Sequence, residues 1–308
     1  MDAIIQTENL SKNFGNFCAV NKINLNVDKG EIYGFLGLNG AGKTTTIRML
    51  LGMIKATSGN AYLYGKKVDS KDLDLWRKIG YLVEVPYSYP ELTVNENLEI
   101  IKRLRRIDNP HAVDEVMEKL KLDIYKDRKA SKLSLGNAQR LGLAKALIHK
   151  PDILLLDEPS NGLDPAGIVE MRELFMDLTQ NHGVTIFISS HILGEVSKLA
   201  NRIGIIHNGI LMKEIDTDKI DILRKKTLLV NTNNNEFARF ILIGDGYTVE
   251  DDTEGNLVIL DVRANEKPDA VSELLAMKGC YPTMLMEHKE DLESYFFGVI
   301  ANDGGLAI

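Results

Sequence analysis

The segment Gly37-Leu38-Asn39-Gly40-Ala41-Gly42-Lys43-Thr44 is a glycine-rich loop closed by a lysine and a threonine, in the pattern G-x-x-x-x-G-K-[ST]. It stands between an apolar run, Ile32 to Leu36, and a stretch of helical character, Thr45 to Leu51. A strand that turns through glycines into a helix N-terminus aims backbone N–H groups and the positive end of the helix dipole at one point, where a triphosphate can sit. Side chains on the glycines would hold the backbone away from the phosphates. Asn39, Gly40, Ala41 and Gly42 then form the cradle, Lys43 is a point charge for the β- and γ-phosphates, the Thr44 hydroxyl is a ligand for Mg²⁺, and Thr45 adds a phosphate contact. A second apolar run, Ile153 to Leu156, ends in Asp157-Glu158. Two adjacent carboxylates can divide the work: Asp157 stays ionised near Mg²⁺, and Glu158 accepts a proton from the water that attacks the γ-phosphate.

These groups need elements to hold them. Residues 4–9, 22–27 and 31–36 read as short strands, with a further strand pair at 60–64 and 80–83. Thr93, three residues before Glu96, opens a capping box ahead of Leu98, Ile100, Ile101 and Leu104 at helical spacing. Helices are expected at 112–120 and 138–149. The run from Pro151 to Leu156 suits a parallel strand covered on both faces. A helix over 167–180, a strand over 185–189 and a helix over 192–200 continue the alternation, which describes an α/β sheet with helices on both sides. After Asp216 the pattern changes to strand 228–231, helix 236–243, strands 247–251 and 256–261, helix 267–277 and strand 281–287. That β-α-β-β-α-β order predicts a small ferredoxin-like α+β domain. A last helix, 292–300, carries Tyr295, Phe296 and Phe297 and is expected to pack within the chain.

Composition agrees with two globular domains, at 1–215 and 216–308: the chain has 308 residues and is 44% hydrophobic. Residues 216–308 hold 9 Lys and Arg against 18 Asp and Glu, leaving 28 against 26 before them. A net charge of −7 with an acidic tail argues against a nucleic-acid partner, which requires a clustered basic face. Lys102 to Arg106 reads as the solvated face of a helix and Arg224 to Lys226 as an interdomain link, with anionic headgroups as the alternative partner. Cys18 and Cys280 form no metal or C-x-x-C pattern and are expected to be buried or inert in a reducing compartment. The start lacks a basic, apolar leader, and no run of about 18 uncharged apolar residues occurs. The expectation is a cytoplasmic protein that does not itself cross a membrane.

Further motifs carry a family resemblance. With Leu133-Ser134-Leu135-Gly136-Asn137-Ala138-Gln139-Arg140, Ser160-Asn161-Gly162-Leu163-Asp164 and His191, residues 1 to about 215 resemble the ATP-binding subunit of an ABC transporter. The resemblance implies ATP and Mg²⁺ as ligands and a helical subdomain at about 87–150. It implies that Phe14 stacks on adenine, that His191 touches the γ-phosphate, and that Asp164 belongs to a loop linking two composite sites. Ser134 and Gly136 would cap the γ-phosphate of the opposite protomer in an ATP-bound homodimer, and a separate transmembrane permease would dock at Tyr87-Ser88-Tyr89-Pro90. Three positions depart from the family pattern: Leu135 replaces the usual first glycine, Asn137 the usual first glutamine, and Glu84 the glutamine after Val83. Glu84 and the Leu-Ser-Leu-Gly signature resemble the branch of bacitracin-resistance and lantibiotic-immunity exporters. An ionised glutamate only accepts hydrogen bonds, so Glu84 is expected to bind Mg²⁺ or its waters. The leading expectation is an ATPase that powers an exporter from the inner face of the membrane. A sensing complex, or an ATPase acting on DNA or ribosomes, is the alternative; the latter usually carries a long coiled-coil insertion or a second cassette, and neither is in this sequence.

Overall fold

The computed structural model describes residues 3–84 and 87–304. The chain divides into two compact units, one built from residues up to 218 with those from 299 onward, the other from residues 219–298. The first contains β1 (Ala3–Phe14), β2 (Phe17–Asp28), β3 (Ile32–Leu36), α1 (Lys43–Leu50), β4 (Ser58–Leu63), β5 (Lys66–Lys67), α2 (Leu73–Trp76), β6 (Ile79–Leu82), α3 (Val94–Leu104), α4 (Ala112–Lys119), α5 (Leu135–Leu147), β7 (Ile153–Asp157), α6 (Pro165–Gln180), β8 (Thr185–Ser190), α7 (Leu193–Val196), β9 (Arg202–His207) and β10 (Ile210–Asp216). One sheet runs β10-β9-β3-β8-β7-β6, parallel except for β10; the other, β2-β1-β4-β5, is antiparallel.

Every residue of β3, β7 and β8 is buried, as continuous apolar runs covered on both faces require. Tyr33 and Phe35 of β3 lie 5.4 and 5.3 Å from the Phe187 ring of β8, which fastens the two strands side by side. Their register sets Leu36 opposite Ser190 and Asp157 opposite Ser189, so the phosphate loop, the carboxylate pair and His191 all leave the sheet at one edge. Ligands of open α/β sheets bind at that carboxyl edge.

The structure corrects several expectations. Residues 60–64 and 80–83 do not pair: β4 joins β1, and β6 lies parallel to β7. At Gly80 a β-carbon would meet the Ala146 carbonyl at 2.2 Å, so β6 runs tight beneath α5. The first two strands are longer than their sequence suggests, because register shifts between Thr7 and Asn13 break the period of two. The hairpin β9–β10 was not expected, although Asn208 and Gly209 both have positive φ, 48° and 77°, the geometry of a two-residue hairpin turn. The helix expected over 192–200 is only Leu193–Val196, since the Asn201 N–H is drawn to the Ile32 carbonyl of β3 at 2.8 Å. Cys18 is exposed, whereas Cys280 is buried.

The division falls in α8 (Thr217–Leu223), after which come β11 (Lys226–Thr232), α9 (Asn235–Gly244), β12 (Val249–Asp251), β13 (Leu257–Ile259), α10 (Val262–Glu266), α11 (Pro268–Met277), β14 (Pro282–Lys289) and α12 (Leu292–Gly304). The sheet order β12-β13-β11-β14, antiparallel throughout, is the ferredoxin-like arrangement, with α10 added before the second main helix. Leu228, Val230 and Ile259 of the sheet pack with Leu242, Val271 and Leu275 of the helices. In α12, Tyr295 and Phe296 are buried, and Phe297 is half exposed.

Candidate active site

The phosphate loop is shaped by its neighbours. A β-carbon at Gly37 would stand 2.5 Å from the Ile206 carbonyl, and one at Gly42, where φ is +108°, would stand 2.6 Å from the Ala19 carbonyl. Only glycine fits both places. Gly42 caps α1 without any side chain to satisfy the first N–H groups of the helix, which leaves them for an anion.

Lys43 is only 6% exposed. It folds back over the loop, donating to the Gly37 carbonyl at 2.6 Å and the Leu38 carbonyl at 3.2 Å, and pairs with Glu158 Oε1 at 3.1 Å. The other Glu158 oxygen meets His191 Nδ1 at 2.7 Å. Glu158 has φ +49°, a left-handed turn that costs about 1–2 kcal/mol for a residue with a β-carbon and swings the carboxylate out of line with β7. Asp157 is held at both oxygens: Thr44 donates to Oδ2 at 2.7 Å and Ser189 to Oδ1 at 2.6 Å. The Ser189 hydroxyl in turn accepts the Glu158 N–H at 3.0 Å, so one serine sets both carboxylates.

Lys43, Thr44, Asp157, Glu158 and His191 are thus brought together. A cavity of 380 Å³ is lined by Lys43, Thr44, Glu158 and His191 with Asn39, Gly40, Ala41, Gly42, Thr45, Asn161, Phe14 and Phe17, while Asp157 lies just beneath, bonded to Thr44. Phe14, with Lys12 Nζ 5.0 Å from its ring centre, faces Phe17 across the β1–β2 turn. Both rings are more than half exposed, and so free to stack on a flat ligand. The chemistry of the set fits Mg²⁺ with a triphosphate: a hydroxyl and a carboxylate in contact, one cation and open amides. Among the described residues no three His, Cys, Asp or Glu side chains form a metal cage, and a phosphate-bound Mg²⁺ needs none.

Other expected residues lie elsewhere. Glu84 lies outside the cavity lining and pairs with Arg48 near the C-terminal end of α1. Ser134 caps α5, accepting the Asn137 N–H at 3.3 Å, and Asp164 caps α6, accepting the Gly167 N–H at 2.9 Å. Gly136 sits close to that second turn: a β-carbon there would meet the Gly162 carbonyl at 3.3 Å. Tyr87 and Tyr89 are exposed, with ring centres 6.0 Å apart. Their loop is fastened from beneath by Lys145 of α5, which donates to the Tyr87 carbonyl at 2.8 Å and the Ser88 hydroxyl at 2.7 Å. Burial pushes the Lys145 ammonium down to about 8. Phe17, Ser189 and Lys145 escaped sequence reasoning, and Asn161 entered it only as a member of the motif Ser160 to Asp164. Phe17 alone carried a signal, being an aromatic just across a Gly-Asn turn from Phe14.

Fold and site together define a phosphate-loop ATPase. Residues 20–161 match the ABC transporter family. The chain is 41% identical over 301 residues to the bacitracin transport ATP-binding protein BcrA of Bacillus licheniformis, covering 97% of this chain and 98% of that one. It is 40% identical over 215 residues to the lantibiotic transport ATP-binding protein SrtF of Streptococcus pyogenes, covering 69% of this chain and 92% of that one. A dimeric ATP-binding cassette bound to ADP and Pi superposes with TM-score 0.62 at 27% identity, over 69% of this chain and 98% of that one. The chain belongs to the ATP-binding subunits of ABC transporters, ATP hydrolases coupled to transport. Among its described residues no helix is long and apolar enough to cross a membrane.

Proposed function

We propose that this chain drives export of peptide antibiotics of the bacitracin or lantibiotic kind, as one of two ATPase subunits bound to a separate transmembrane permease at the cytoplasmic face. The full-length similarity to a bacitracin transport protein carries the choice of cargo, since it runs through the C-terminal unit as well as the cassette. In this reading Phe14 stacks on adenine, Asn39 to Thr45 cradle the phosphates, and Lys43 leaves its pairing with Glu158 to neutralise them. Thr44 and Asp157 hold Mg²⁺, which supplies positive charge to the phosphates when bound. Freed from Lys43, the Glu158 carboxylate accepts the proton of the attacking water while His191, already in contact with it, fixes its direction. Ser134 and Gly136 complete the partner's site, and Asp164 lies in the turn between the sites. Glu84, paired with Arg48 in this structure, would hold Mg²⁺ as a further ligand only after leaving that pair. Residues 1–215 form the ATPase domain, with its helical part at about 87–150, and 216–308 an accessory regulatory domain.

The test is tolerance. The chain is co-expressed with its membrane-spanning partner in a bacitracin-sensitive bacterium, alongside a Glu158→Gln version. Raised tolerance with the first and none with the second is the expected result. No protection from a chain that hydrolyses ATP when purified would overturn the exporter reading.

A further inference from the structure

Leu135 stands where the family pattern has glycine, and its side chain lies on Gly162. A β-carbon at Gly162 would be 2.3 Å from Leu135 Cδ2 and 2.4 Å from its Cγ. With φ +79° as well, Gly162 offers a bare face that no other residue supplies. The residue before it, Asn161, lines the nucleotide cavity and donates its N–H to the Glu158 carbonyl at 3.1 Å. Leu135 is nonetheless 60% exposed, so burial in the core does not account for a leucine here. A second link lies further along α5, where Arg140 donates to Glu170 of α6 at 2.7 Å. The helix that opens at Ser134 is therefore pinned to the segment Glu158–Asp164 and its helix at two points, one apolar and one ionic.

We propose that Leu135 is a positioning residue that joins the signature segment, which serves the partner's nucleotide, to the turn that serves its own. Through it, the two nucleotide sites of a dimer fill cooperatively. This rests on the dimer reading above. A smaller residue at 135 uncovers Gly162 and leaves in place the Arg140–Glu170 link, whose residues are not part of the phosphate cavity lining.

The experiment compares wild type, Leu135→Ala, Leu135→Met, Gly162→Ala and the double Ala variant. ATP hydrolysis is followed against ATP concentration, and ATP-driven dimerisation is measured with each change placed in a Glu158→Gln chain. Wild type should show a Hill coefficient approaching about 2, the number of sites, and Leu135→Ala one of about 1. Leu135→Met, which refills the space over Gly162, should keep the wild-type value. Gly162→Ala should weaken dimerisation roughly tenfold or more by overpacking and backbone strain, and adding Leu135→Ala should recover the part of that loss due to the clash. Unchanged cooperativity in Leu135→Ala, a wild-type coefficient of about 1, or purely additive effects of the two Ala changes would overturn the proposal. A Glu158→Gln parent that stays monomeric in Mg-ATP overturns the dimer reading and this proposal together; a parent that dimerises keeps the two failures apart.

Discussion

Lys43 and Glu158 share an ion pair at 3.1 Å, yet their removal should have different consequences. Lys43→Ala takes away the only cation lining the phosphate cavity in the described residues and should weaken both ATP binding and turnover. Glu158→Gln keeps the shape but loses the charge, the basicity and one of the two acceptor oxygens, so binding should survive while hydrolysis falls by about 10² to 10⁴. Binding and steady-state assays on the two variants separate these outcomes, and full turnover in Glu158→Gln would remove its assignment as base. A second residue-scale prediction concerns His149. It is mostly buried, its Nε2 lies 3.0 Å from the Ile79 carbonyl, and Nδ1 has no partner. Burial, and then the nearby Arg105 cation, push its pKa down to about 4. The unfolded chain binds a proton near pH 6.5 that the folded chain refuses until about pH 4, so stability is lost as pH falls through that window, by at most about 3 kcal/mol. Denaturant melts of wild type and His149→Asn at pH 7 and pH 4.5 should show the larger loss in wild type. The phosphate loop was legible because its residues are adjacent in sequence. Ser189 was not, because a serine inside an apolar strand shows its role only once β7 lies beside β8.

Local chemistry also made some elements legible. Thr93 and Glu96 form both bonds of their capping box, at 3.1 and 2.8 Å, as their spacing indicated. The loop before this helix depends instead on a residue three positions inside α3. Asn97 is 1% exposed; it accepts the Tyr89 N–H at 2.9 Å and donates to the carbonyls of Tyr89, Leu92 and Thr93. Asn97→Ala should orphan these groups, cost about 1–3 kcal/mol and speed hydrogen exchange at the Tyr89 amide. Unchanged exchange there would show that Lys145 alone holds the aromatic loop. In sequence Asn97 reads as one more polar residue on an amphipathic helix, because nothing local says which side of α3 the loop will cross. The hairpin β9–β10 was hidden for another reason: its turn signal was present, but only the long-range pairing of β9 with β3 makes it part of the main sheet.

For the whole chain, the carboxyl-terminal unit should be separable from nucleotide binding. Every side chain lining the phosphate cavity lies before residue 192, and the similarity to SrtF spans nearly all of that relative while leaving about a third of this chain unmatched. A chain ending at Asp216 should bind ATP with the affinity of the full protein, though with a lower melting temperature, because Val299 and Ile300 are buried and residues from 299 group with the first unit. Weakened ATP binding in a folded truncation would mean that the tail supplies part of the site. The ferredoxin-like order was legible because its strands and helices alternate cleanly, whereas the split of α12 between the units was not, since it depends on tertiary contacts alone. Among the described residues the sheet of the second unit also ends in two edges without a further paired strand, β12 and β14. A bare edge is a template for another chain's backbone, and both are guarded: β12 is three residues long and carries Glu250 and Asp251, while β14 opens with Pro282 and carries Glu287 and Lys289. Copies of the chain held close together are thereby kept from knitting strand to strand into fibres.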